Sequence, residues 1–80
     1  MTAGEATRQR IMDLIQDQGI TVNKLAMRSG ITQSTLNNIT SGRNHSTSIA
    51  TIQKLCDGLG MSLRSFFDSE LFDDLEQEVK

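Results

Sequence analysis

Eighty residues with 36% apolar content, three Phe and no Trp, Tyr or Pro fit one small domain whose core must come from aliphatic side chains. A single Cys rules out an intramolecular disulfide framework, no apolar run reaches membrane-spanning length and no leader pattern opens the chain, so a cytoplasmic protein with no membrane partner is expected. The net charge of −2 argues against a nucleic-acid partner only until it is divided: residues 1–64 carry seven basic against four acidic side chains, and residues 65–80 carry one against six.

The first predicted helix runs from about Ala6 to Gln18, with Ile11, Leu14 and Ile15 on one face. It ends at the first of three junctions of one chemical form. Gly19-Ile20-Thr21, Gly30-Ile31-Thr32 and Gly60-Met61-Ser62 each read glycine, apolar, hydroxyl. The glycine can take positive φ and close a helix, and the hydroxyl can accept from the free N–H groups of the next. The apolar residue can staple onto the fourth helical residue, here Leu25, Leu36 and Phe66.

The second helix covers Val22 to Ser29 and buries Leu25 and Ala26. The third covers Gln33 to Ser41. At about 100° per residue, Leu36 and Ile39 share the inward side of the third helix with Thr32 and Thr35, while Gln33, Ser34, Asn37, Asn38 and Ser41 fall on the opposite side. Gly42 to Thr47 (GRNHST) is an extended polar loop holding Arg43, Asn44 and His45. The fourth helix is capped at Ser48 and runs to about Gly58, with Ile52, Leu55, Cys56 and Leu59 apolar. The fifth follows Ser62 and carries Leu63, Phe66 and Phe67. No segment alternates or signals a hairpin, so the fold is expected to be all-α, with residues 1–67 as the domain. Residues 68–80 form an acidic tail in which Leu71, Leu75 and Val79 are four apart, as one helical face requires; it either pairs subunits or frays.

Two helices joined by a glycine turn, the first with a small residue (Ala26) at the crossing, are the requirement of a helix-turn-helix. The outward side of the second of them holds amides and hydroxyls and no charge. Amides offer the paired donor and acceptor that match adenine N6 and N7 in the major groove, whereas a surface made only for solubility would carry Lys or Glu. The free N–H groups at Thr21, Thr32 and Ser48 are natural phosphate sites, and Arg43 and Asn44 lie in the loop that should face the sugar–phosphate backbone.

Residues 21–67 resemble the Cro/C1-type (XRE) helix-turn-helix family through TVNKLA, SGITQSTLNNITSGR and SIATIQKLCDGLGMSLRSFF. The resemblance implies a compact five-helix, lambda-repressor-like domain that places its third helix in the major groove and reads palindromic operators on double-stranded DNA as a homodimer. It puts Gln33, Ser34, Asn37 and Asn38 at base-contacting positions. It puts Thr21, Ser41, Arg43 and Asn44 at phosphate-contacting positions, to which the helix N-terminus adds Thr32. The chain departs from the family's pattern at Val22, Thr40 and Thr47, where Gln, Glu and Pro are frequent, and this bears on operator sequence more than on fold.

Enzymatic chemistry is not expected. The one His and one Cys stand on different elements with no orienting base near either, and no CxxC, HExxH or glycine-rich phosphate loop exists, so neither metal nor cofactor is implied. The expected function is a transcriptional regulator, a repressor by preference. Two alternatives share the scaffold: an antitoxin-like regulator that also holds a protein through the acidic tail, and a protein-interaction module that does not use DNA.

Overall fold

The computed structural model describes residues 1–43 and 46–77. It consists of α1 (Ala3–Gln18), α2 (Val22–Ser29), α3 (Gln33–Thr40), α4 (Ile49–Leu59) and α5 (Leu63–Phe67), followed by one 3₁₀ turn over Glu70–Phe72. No strand forms among the described residues; the extended pairing present is one parallel bridge between Thr2 and Glu76. Asn44, His45 and Val79 lie outside the described residues.

The glycine–apolar–hydroxyl junctions do what their chemistry demands. At Gly30 the backbone turns left-handed (φ 70°), the Gly30 N–H reaches Met27 O at 3.4 Å and the Ile31 N–H reaches Ala26 O at 3.2 Å, which satisfies two carbonyls the helix would otherwise leave open. The ends of α1 and α4 repeat this pair of bonds. Ile20, Ile31 and Met61 are half-buried and pack on the core. Each following hydroxyl caps the next helix: Thr21 accepts from Lys24 N at 3.0 Å, Thr32 from Thr35 N at 3.1 Å and Ser62 from Ser65 N at 3.1 Å.

Three boundaries differ from the sequence reading. α1 begins at Ala3 because Thr2 and Glu5 form a reciprocal capping box, with Glu5 N donating to Thr2 Oγ1 at 3.2 Å and Thr2 N to Glu5 Oε1 at 2.8 Å. α3 ends at Thr40, with Ser41 as its C-cap. α4 continues through Gly58 to Leu59, and Gly58 is the point where α4 approaches α2.

The core joins Ile11, Leu14 and Ile15 of α1 to Leu25 and Ala26 of α2, Leu36 and Ile39 of α3, Ile52, Leu55, Cys56 and Leu59 of α4, and Phe66 of α5. α2 is the hub, packing most extensively on α4 and next on α3. α1 crosses the assembly as a strap whose polar side chains end on carbonyls at the C-termini of other helices. Arg8 Nε donates to Thr40 O at 2.7 Å, Arg10 donates to Phe66 O at 2.7 Å and Ser65 O at 2.9 Å, and Gln18 Nε2 donates to Leu59 O at 2.8 Å. Cationic donors suit the negative end of a helix dipole.

Among the described residues of the tail, 68–77, no α-helix forms on the four-residue spacing of Leu71 and Leu75. Phe72 folds back onto Phe66 and Phe67, with ring centroids 6.2 and 5.0 Å away, and packs on the core. The chain then runs to the start of α1, where Glu76 N donates to Met1 O at 3.0 Å and the Met1 ammonium meets Glu76 Oε1 at 2.6 Å. Aromatic burial and this pairing outweigh the weak helical pattern of a segment rich in like charge.

Candidate nucleic-acid interface

The orientation of α3 is fixed from below. Leu36 and Ile39 are 0% and 1% exposed and are gripped by the core, so the opposite side of the helix must face solvent. Gln33, Ser34, Asn37 and Asn38 are all exposed there. Their side chains make no hydrogen bond among the described residues, whereas the neighbouring Thr32, Thr35, Thr40 and Ser41 turn their hydroxyls back onto the helix. Two carboxamides and a hydroxyl are thus held on a rigid element within one turn of each other, and Gln33 extends the row. Amides left without internal partners can give both members of a donor–acceptor pair to a base edge.

The N-termini of α2, α3 and α4 share an electrostatic character. The first turns of α2, α3 and α4 contain no acidic residue, in contrast to α1 with Glu5. At α3 the third helical position is filled by a hydroxyl: Thr32 Oγ1 donates to Thr35 Oγ1 at 2.7 Å while accepting the Thr35 N–H. The same neutral pair recurs as Ser48 and Thr51 at 2.9 Å at the start of α4. The partial positive charge of these N-termini is therefore not neutralised locally, which favours an incoming anion.

Thr21, Thr32, Ser41 and Arg43, expected at phosphate-contacting positions, are exposed. The hydroxyls of Thr21 and Thr32 are occupied as caps, so a phosphate at α2 or α3 would meet first-turn backbone N–H groups. Ser41 Oγ donates to Asn38 O at 3.3 Å, which leaves the hydroxyl oxygen's acceptor capacity unused by that bond. Asn44, the fifth such position, is outside the described residues. Val22, one of the departures from the family pattern, is half-buried and packs on the core.

The seven basic side chains of residues 1–64 divide into two groups. Arg8 and Arg10 are half-buried and bound to carbonyls, a role that sequence reasoning missed. Lys24, Arg28, Arg43, Lys54 and Arg64 are exposed and form no ion pair among the described residues. Cys56 is 1% exposed, and burial pushes its thiol pKa up, with the nearby Asp57 adding to the shift, which disfavours the thiolate.

A model of the helix-turn-helix family matches residues 11–66 of the chain. Among solved structures, the fold is similar to that of the prophage Lp1 protein 11, with a TM-score of 0.80 and 37% identity, over 94% of this chain and 99% of that one. No curated protein sequence matches the chain. No helix among the described residues is long and apolar enough to cross a membrane.

Proposed function

The chain belongs to the Cro/C1-type helix-turn-helix family of DNA-binding regulators, and from that membership we propose that it reads a palindromic operator in double-stranded DNA and acts as a repressor. α3 enters the major groove. Gln33, Ser34, Asn37 and Asn38 meet base edges, with adenine the base best matched to the amides. Thr21, Thr32, Ser41, Arg43 and Asn44 hold the flanking phosphates and fix the register of the helix on the duplex. The observation that carries this reading is the exposed, uncharged and internally unpartnered amide face of α3.

One domain spans a half-site of a few base pairs, so specificity requires two copies with their α3 helices in successive major grooves, about 34 Å apart. Phe67 and Leu75, at 37% and 39% exposure, supply apolar surface for pairing near α5 and the tail. Occupying the groove excludes other proteins from the same base pairs, so binding alone suffices for repression. The acidic tail faces away from DNA in this arrangement, and the site of action is the cytoplasm.

Selection of bound sequences from a random duplex pool tests the proposal. A dyad with adenine-containing half-sites is expected, and sedimentation of the complex should give two chains per duplex. A pool that yields no enriched motif at low salt would sink the reading.

A further inference from the structure

The C-terminus of α3 is built unlike the ends of α1, α2 and α4. Those three close on a left-handed glycine immediately after the helix, with two backbone N–H groups returning to the last turn. In α3 the cap is Ser41, still right-handed (φ −81°, ψ −8°), and the left-handed residue is Gly42 (φ 82°), one position later. Ser41 N returns to Asn37 O at 2.9 Å and Gly42 N to Ile39 O at 3.2 Å. The carbonyl of Thr40 accepts from a side chain on another helix, Arg8 Nε of α1, at 2.7 Å. The last turn of α3 has no basic residue of its own, so Arg8 is also the cation at this negative helix end.

Arg8 also lies beside the turn that follows. A Cβ placed on Gly42 would meet Arg8 Nε at 3.7 Å and Arg8 Cδ at 3.8 Å, ordinary van der Waals contact, so the arginine side chain borders the space that the glycine leaves open. One side chain thus binds the final carbonyl of the helix and flanks the turn that leads into Arg43. Leu36 and Ile39 fix the helix by burial, but beyond Ile39 no side chain of α3 is fully buried. Asn37 and Asn38 directly precede Ile39 in the last turn, and Ser41 caps it.

We infer that Arg8 is a positioning residue for DNA readout: it sets the register of the last turn of α3 and of the Gly42–Arg43 turn, without touching DNA itself. The inference rests on the proposal that α3 reads bases. Paired amide contacts tolerate displacements of only about 0.5 Å, so a helix end fastened to α1 through one charge-assisted bond transmits the loss of that bond to specificity. Arginine suits this role better than lysine, because its planar fork fixes a direction whereas an ammonium does not.

The experiment compares Arg8→Met and Arg8→Lys with the wild-type chain. It measures binding to the selected duplex and to a scrambled duplex over a range of salt, together with amide hydrogen exchange. Arg8→Met should lower affinity for the selected duplex about tenfold while affinity for the scrambled duplex and the salt slope stay unchanged. The Ser41 and Gly42 amides should exchange faster, and those at the ends of α1 and α2 should not. Arg8→Lys, which preserves the charge and guards against a fold failure in the methionine variant, should fall between the two. Unchanged exchange at Ser41 and Gly42, or an unchanged ratio of specific to non-specific binding, overturns the inference. So does a parallel loss on both duplexes with a salt slope flatter by about 0.9, which is the mark of a direct phosphate contact. If the wild-type chain selects no motif, the proposed function fails first, an outcome distinct from a wild type that selects a motif which the variants keep.

Discussion

A Cβ built on Gly58 would lie 2.3 Å from the Oγ of Ser29. α2 and α4 therefore meet at a point where the α4 side has no room for a side chain. Ser29 N and Leu25 Cδ1 close the same space at 3.1 and 3.2 Å, so rotating the serine hydroxyl away does not open it. Alanine would gain about 1 kcal/mol of helix propensity, but overpacking typically costs about 1–3 kcal/mol. Gly58→Ala should thus be less stable in urea by about 1–2 kcal/mol, with α2 displaced.

The same contact leaves Ser29 Oγ buried without a hydrogen-bond partner among the described residues. Ser29→Ala removes an unsatisfied polar atom and relieves the space above Gly58. It should be neutral or stabilising by up to about 1 kcal/mol, and the double variant should recover part of the Gly58→Ala loss. Strict additivity in that double-mutant cycle would contradict the packing argument.

Gln33→Ala and Asn38→Ala remove exposed amides that make no side-chain hydrogen bond among the described residues. Each should weaken binding to the selected duplex by about 1–3 kcal/mol and relax base preference at one position of the half-site. Thermal unfolding should stay within about 0.5 kcal/mol of the parent, as for other surface changes. A protein-interaction module would show neither loss.

Arg43 is exposed and lies three residues beyond the end of α3, the helix proposed to read bases. Arg43→Ala should weaken selected and scrambled duplexes alike and flatten the plot of log affinity against log salt by about 0.9. With five exposed cations among the described residues of the domain, the parent slope itself should be shallow.

Cys56 carries a thiol whose pKa is raised by burial in the folded state. Above the ordinary thiol range the unfolded chain loses this proton before the folded chain does, so the group contributes stability that fades as pH rises through that range. Alkylation by iodoacetamide at pH 8 should accordingly track global opening and accelerate in step with urea unfolding. Rapid labelling of the native protein would show that the α4 face is not sealed.

The three glycine–apolar–hydroxyl junctions were legible because each is written within three adjacent residues, and local chemistry decides them. The outward face of α3 was legible for a similar reason, since Leu36 and Ile39 fix the rotation of a short helix. The carbonyl clamps were not. Arg8 and Thr40 are 32 positions apart, and Arg10 and Phe66 are 56 apart, so no periodicity announces them. α1 had a readable start in Thr2 and Glu5 that hydrophobic spacing alone passes over. The fold-back of residues 68–77 was not legible because it turns on Phe72, which lies outside the four-residue spacing of Leu71, Leu75 and Val79, and on rings six and five positions earlier in the chain.

The neutral caps of α3 and α4 set a trap for protein engineers. Replacing Thr35 or Thr51 with glutamate would complete a charged capping box and should raise the melting temperature modestly, each carboxylate contributing about 0.3–1 kcal/mol. It would also install an anion where a nucleotide's own anion is proposed to land. A thermostability campaign run on the isolated protein would then enrich variants that have lost their ligand, and heat resistance and occupancy of the genome would be pulled apart by a single side chain.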